Sequence, residues 1–213
     1  VENIQNCGNV YGEKDVPAAL KKEIESLPEK ADTLLFLGRD AIYKSPESAI
    51  KAIELLKKSG ISFTVLKDEP DSGYAMEFLT GKTAESKEIA EKCAKALDFK
   101  TVVCYDPSDA KIFMREYKEW GINLSAKVVT FTAFVAELIK NGTIKVKASG
   151  KVYTVQDSAI LARDLEETDA VRAIISACGE NREMLCFGKD TILAGNLIMN
   201  EYMSEVIKET AAA

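Results

Sequence analysis

The sequence predicts an α/β fold, with mostly parallel sheets and helices on both faces. Three observations carry that expectation. Short continuous apolar runs such as Thr33–Leu37 and Thr101–Cys104 fit strands buried on both faces. Longer amphipathic stretches with helix start and stop residues lie between them. From Asp32 onward the two kinds of segment alternate, the order that builds a parallel sheet.

Val1 to about Asp15 is turn-rich, with Asn6-Cys7-Gly8-Asn9 and Tyr11-Gly12-Glu13, and reads as an irregular lead-in. Pro17 opens a short helix through Ser26, and Pro28 closes it. Thr33–Leu37 is the first strand. Ser45-Pro46-Glu47 starts a helix, with a cap, a proline at the first helical position and an acid in the first turn. Ile50, Ile53, Leu55 and Leu56 form its apolar stripe, and Lys57, Lys58 and Gly60 stop it. Ile61–Leu66 is the second strand. A helix follows from Thr83 or Ala84 to about Leu97, then a strand at Thr101–Cys104 and a helix from Asp106 to about Glu119. Lys127–Val129 and Ile144–Val146 read as short strands on either side of a helix at Phe131–Lys140. The cycle restarts at Lys151–Val155. It continues with a helix from about Glu167 to Cys178, a strand at Glu183–Cys186 and a mostly helical stretch over Thr191–Glu209. The expected organisation is a lead-in over 1–30, a first module over 31–148 and a second over 149–213.

Composition narrows the chemistry. Hydrophobic residues make up 46% of the 213 and charged residues 29%, enough apolar mass for a core. The net charge of -6 disfavours nucleic acid as a partner. No apolar run approaches the roughly 20 residues that span a bilayer. No signal-peptide pattern is visible, and a chain starting at Val1 reads as trimmed or excised. The chain has no histidine, which removes Ser-His-Asp triads, Cys-His pairs, imidazole acid–base catalysis and His-ligated zinc. Its 5 cysteines (Cys7, Cys93, Cys104, Cys178, Cys186) contain no C-x-x-C, and an odd number argues against a disulfide framework. A reducing cytoplasm is the expected compartment.

Ligands of parallel sheets bind at the carboxyl ends of the strands. Three polar segments fall there: Gly38-Arg39, Pro70-Asp71-Ser72-Gly73 and Asp106-Pro107-Ser108-Asp109. Two of them have a purely structural explanation. Asp106 with Pro107 and Asp109 is a helix start, and Pro70 to Gly73 is a turn. All three have a chemical one. Asp71, Asp106 and Asp109 are hard oxygen donors suited to Mg, Ca or Mn, and Arg39 is a cation suited to an anion.

The spacing of these segments resembles the CCG (cysteine-rich) domain family. That family includes the B-type subunit of heterodisulfide reductase and the iron–sulfur subunit of glycolate oxidase. Its repeat is Gly-Cys after the first strand, Cys-Cys-Gly after the second and Cys-x-x-Cys opening the helix after the third. Here Gly38-Arg39, followed by Tyr43, stands for Gly-Cys. Asp71-Ser72-Gly73 stands for Cys-Cys-Gly, and Asp106-x-x-Asp109 for Cys-x-x-Cys, with Tyr117 as the following aromatic. The intervals are 31 residues between Arg39 and Asp71 and 33 between Ser72 and Asp106. A second, partial repeat keeps Asp157 and Arg163, with Ser158, Ala159 and Ile160 where the family has Pro, Cys and His. Cys186-Phe187-Gly188 stands for its Cys-Cys-Gly. Gly8-Asn9 and Gly12 resemble the link that follows a ferredoxin-like module in such subunits.

The resemblance implies two related Rossmann-like modules at the C-terminal end of an Fe–S oxidoreductase subunit. Cys186 is then a vestigial cluster position. Arg39, Asp71, Ser72, Asp106, Asp109 and Ala159 occupy positions of cluster cysteines. A [4Fe–4S] cluster needs several convergent thiolates, so this chain is expected to hold none and, alone, to catalyse nothing. Clusters are expected instead in an attached ferredoxin-like module. The implied partners are other subunits of a redox complex, either a flavoprotein or a disulfide- or quinone-linked enzyme. The location is then cytoplasmic, or peripheral to a membrane through those partners. In the vacated mouth Arg39 is expected to pair with Asp71, Asp106 or Asp109. The alternatives are a noncatalytic scaffold for subunit contacts, or a binder of small anions or divalent metals at the vacated site.

Overall fold

The structure is a computed structural model that describes residues 1–193 and 195–212. Ala194, inside the expected last helical stretch, and Ala213, the end of the expected second module, lie outside the described residues. The chain is α/β and divides into two compact units, Val1–Thr130 and Phe131–Ala213.

In the first unit, β1 (Thr33–Phe36), β2 (Thr101–Cys104) and β3 (Lys127–Thr130) form a parallel sheet in the order β1-β2-β3. Thr33 pairs with Thr101, and Thr101 with Lys127. The strands are short and rich in Val, Leu and Thr, and the central residues of β1 and β2 are buried. Helix α4 (Pro46–Ser59) buries Ala49, Ala52, Ile53 and Leu56, a 3.6-residue stripe, and its first helical residue is Pro46 as the sequence implies. Phe36, Phe113 and Tyr117 stack edge to face at 5.0 Å centroid spacings, joining the end of β1 to the helical segment after β2.

The second expected strand, Ile61–Leu66, is reduced to a single bridge. Thr64 exchanges backbone hydrogen bonds with Thr33 and Leu35, and the ladder ends there. The next amides, those of Leu37 and Gly38 just past β1, are taken by the side chain of Glu69 instead of a neighbouring backbone. A carboxylate thus finishes the sheet edge where a strand was expected.

The lead-in read as irregular contains α1 (Glu2–Cys7), and its Ile4, Asn9 and Val10 are buried. Helix α2 (Ala18–Glu25) follows, within one residue of expectation at each end, burying Leu20 and Ile24. Two short helices stand in segments to which the sequence assigned no element: α3 (Arg39–Tyr43) and α5 (Tyr74–Thr80). Both follow a glycine at positive φ, and both are too short to show a periodic pattern. Helix α6 (Thr83–Ala94) and the helix after β2 appear as read. The latter begins as α7 (Pro107–Lys111), passes through a π-type segment, Ile112–Glu116, and ends as α8 (Tyr117–Glu119).

The second unit holds α9 (Phe131–Lys140), a two-residue parallel pair of β4 (Val152–Tyr153) and β5 (Glu180–Asn181), α10 (Asp169–Cys178), α11 (Leu197–Tyr202) and α12 (Ser204–Ala212). A second π-type segment covers Ile160–Asp164. Two expected strands are not formed. Ile144 donates back to Leu138, closing α9, and Lys145 and Lys147 flank a stretch with no ladder. Glu183–Cys186 is a bend whose Glu183 is held by Arg172 and Asn181 and whose Leu185 is 99% exposed.

Candidate functional site

The three strand-end segments of the first unit converge. Gly38 follows β1, Pro70–Gly73 follows the Thr64 segment, and Asp106–Asp109 follows β2. Gly38 shows how closely they approach. A Cβ there would stand 2.4 Å from Asp109 Oδ2 and 2.8 Å from Asp106 Cβ, at a φ of +86°, so only glycine fits. Gly73 is a second such point, where a Cβ would lie 2.7 Å from the Ser86 carbonyl.

Each candidate residue has a definite place. Asp106 caps α7, accepting the Ser108 N–H at 2.7 Å. Asp71 is buried, and its Oδ1 accepts the Gly73 N–H at 2.7 Å while Oδ2 has no partner. The Ser72 hydroxyl bonds Asp109, and the Ser72 carbonyl accepts the Tyr117 hydroxyl at 3.0 Å. Arg39 is half-buried and makes no ion pair. Its Nη1 reaches the Tyr43 hydroxyl at 3.4 Å, and its buried Nε has no acceptor. The expected pairing with Asp71, Asp106 or Asp109 is not formed. Asp106 and Asp71 each spend an oxygen on a backbone N–H, and the arginine lies beside Tyr43 and Gly8 instead.

Four further groups complete the site, and of these the sequence marked only Cys104, as a thiol at a strand end. Glu69 is buried, and its two oxygens accept the Gly38 and Leu37 N–H groups at 2.7 and 2.8 Å. Asp40 accepts the Tyr11 hydroxyl at 2.7 Å. Cys93 on α6 and Cys104 at the end of β2 are buried, and Cys93 bonds the Tyr117 hydroxyl. Burial dominates the electrostatics. It pushes Glu69 up to about 7, against the pull of its two amides and of Arg39. It pushes Asp40 up to about 6, helped by the charge of Asp106. Asp71, Asp106 and Asp109 all move up for the same first reason, and at Asp109 the neighbouring Asp106 adds like-charge repulsion. Burial thus makes these closely packed carboxyls harder to ionise, with Arg39 as their near cation.

These residues do not fit an iron–sulfur cluster. Such a cluster needs convergent thiolates, and the strand ends present carboxyl, hydroxyl and guanidinium groups. The two thiols nearby are held protonated by burial, which moves Cys93 and Cys104 away from the thiolate form. Among the described residues no three Asp, Glu, Cys or His side chains converge to hold a metal ion.

In the second unit, Ala159 precedes the π-type segment and is half-buried, as is Cys186. Buried Asp157 ties their two turns together. It accepts the Gly188 N–H at 2.6 Å and a two-pronged bond from Arg172, and its carbonyl accepts the Thr191 hydroxyl. Arg163 donates to the Lys189 and Thr191 carbonyls, so it binds the same loop.

No family model matches the chain, and no solved structure matches it. Two curated relatives do, and both are named as the D-type subunit of dihydromethanophenazine:CoB–CoM heterodisulfide reductase. The protein of Methanosarcina acetivorans is 32% identical over 161 residues, and that of Methanosarcina mazei 28% identical over 158. Each alignment covers 70% of this chain and 39% of the relative, so the chain spans about two fifths of the relatives' length. The chain is homologous to this heterodisulfide reductase component. No described helix is long and apolar enough to cross a membrane.

Proposed function

We propose that this chain is the C-terminal CCG-type region of an Fe–S oxidoreductase subunit. It would take part in electron transfer within a multi-subunit complex without holding a cluster of its own. The observation that carries this reading is the convergence of Gly38-Arg39, Asp71-Ser72 and Asp106–Asp109 at the carboxyl ends of β1, the Thr64 segment and β2. On the proposed reading those segments stand for the ligand positions of the CCG repeat. Homology to a heterodisulfide reductase component supports the same direction. Electrons would travel through [4Fe–4S] clusters in an attached ferredoxin-like module, to or from a flavoprotein or a disulfide- or quinone-linked partner. The complex would be cytoplasmic or peripheral to a membrane. The carboxyl site is then what remains when a cluster pocket is refilled by hydrogen-bonding residues.

A noncatalytic scaffold is the second reading, favoured by apolar side chains left exposed on the second unit, among them Leu185, Ile192 and Phe187. One experiment separates the two. The anaerobically purified full-length protein, with and without the first unit, residues 1–130, is reduced with a viologen dye and mixed with its partner complex. The electron-transfer reading expects reoxidation to slow at least about tenfold, a barrier change of about 1.4 kcal/mol, while the spectra of the attached clusters are unchanged. Undiminished electron transfer after removal would leave only the scaffold.

A further inference from the structure

A cavity of about 390 Å³ opens beside Arg39 in the first unit. Its walls come from the chain around α2, from α3 and from the segment Leu66–Glu69. Ile24 and Ile42 are its buried apolar part, and Tyr43 is half-buried beside them. Lys14 and Lys21 lie exposed at its edge, as do Asp15, Glu25 and Asp68. Those exposed charges of both signs are solvated and largely offset one another.

Inside the cavity the balance differs. Arg39 has no ion pair, and its single long hydrogen bond goes to a neutral tyrosine. Its Nε–H is buried without an acceptor, which native structures rarely tolerate. Glu69, the acid that shares the cavity with it, has both oxygens occupied by backbone N–H groups. A guanidinium fork is matched by the paired oxygens of a carboxylate or phosphate, and no protein group supplies them here. Ligand pockets combine this size, apolar walls and a few placed polar groups.

We propose that this cavity binds a small organic anion. Its carboxylate or phosphate would take the part of the Arg39 guanidinium that lines the cavity, and its apolar body would lie on Ile24, Ile42 and the Tyr43 ring. The cavity adjoins the carboxyl cluster through Arg39 and Glu69, and the proposal stands whether or not the chain takes part in electron transfer.

The test titrates the whole chain with benzoate, phenyl phosphate and inorganic phosphate. It follows heat of binding, thermal midpoint and the Arg39 Nε–H resonance in a ¹H–¹⁵N spectrum. The expected result is binding of at least one of the aromatic anions at about 1 mM or tighter, at least about tenfold tighter than inorganic phosphate. The Nε–H resonance should move with it, and Arg39→Gln should weaken it at least tenfold while Arg39→Lys retains part of it. The benzoate and phenyl phosphate arms tell a carboxylate from a phosphate preference. The resonance is read on the unsubstituted chain, so the test survives a variant that fails to fold. No binding of either aromatic anion up to about 20 mM, or binding that leaves the Arg39 resonance unmoved, would overturn the proposal.

Discussion

At the scale of the residue, the acid site rests on contacts that tolerate little change. Gly38→Ala places a methyl group into Asp109 and asks an L-residue to hold a φ of +86°. It should cost about 2 kcal/mol or more, read as a fall in the chemical-denaturation midpoint. A loss below about 0.5 kcal/mol would show that the Gly38–Asp109 contact relaxes freely. The sequence displayed part of this site and hid the rest. Gly38, Asp71, Ser72, Asp106 and Asp109 were legible because strand ends and turn residues mark them. Glu69 was not. Within Lys67-Asp68-Glu69-Pro70 it resembles one charge of a solvated turn, and only the sheet's missing edge turns its side chain inward to two backbone amides. Cys93 and Cys104 were visible only as thiols. The burial of Cys104 follows from the apolar strand it ends, whereas that of Cys93 depends on how α6 packs, which no local pattern encodes.

At the scale of the element, the helix after β2 carries a correction built into its backbone. Asp109 and Tyr117 are eight positions apart, which in a regular α-helix puts them about 80° out of line. The π-type segment Ile112–Glu116 takes up one residue, so both side chains reach Ser72, one at its hydroxyl and one at its carbonyl. The Lys111–Glu116 ion pair at 3.1 Å spans the five-residue step that a π turn creates. Deleting Arg115, which is exposed, should return the helix to α geometry and keep Asp109 and Tyr117 on one face. The expected loss of stability is under about 2 kcal/mol, whereas inserting one alanine at the same place should cost more, because it rotates Tyr117 out of the core. Equal damage from both changes, in urea unfolding followed by circular dichroism, would contradict this role. The sequence pattern predicted this helix over nearly its full length, but periodicity averaged over three turns does not reveal one extra residue. The reverse failure occurred at Ile144–Val146 and Glu183–Cys186. There β-forming or apolar residues met no partner strand, and in the second of them side-chain bonds to Glu183 won instead.

At the scale of the whole molecule, the two units answer pH in opposite senses. In the first, Glu69 rises to about 7 and Asp40 to about 6, while Asp71, Asp106 and Asp109 also rise. A carboxyl with a higher pKa folded than unfolded binds more protons in the folded state. The stability it contributes is full below the unfolded value and is lost as pH rises through the folded one. The first unit should therefore weaken from about pH 4.5 to 7 and beyond, by up to about 1.4 kcal/mol per pH unit for each group titrating. In the second unit the Arg172 pair holds Asp157 below the usual carboxylate range. That contribution is present at neutral pH and is lost as pH falls below about 4. Thermal unfolding followed by Trp120, in the first unit, from pH 5 to 8 should show a falling midpoint. A midpoint that rises over that range would mean the carboxyls are ionised and paired. The central claim is that the strand-end site of the first unit is a site of buried, hydrogen-bonded carboxyls instead of a cluster site. It is tested most directly by incubating the anaerobically purified chain with ferrous iron and sulfide, removing the excess, and measuring bound iron, acid-labile sulfide and the low-temperature electron paramagnetic resonance spectrum after reduction. The expected result is background iron and sulfide with no cluster signal. About four irons and four sulfides per chain, with the spectrum of a reduced [4Fe–4S] cluster, would contradict it.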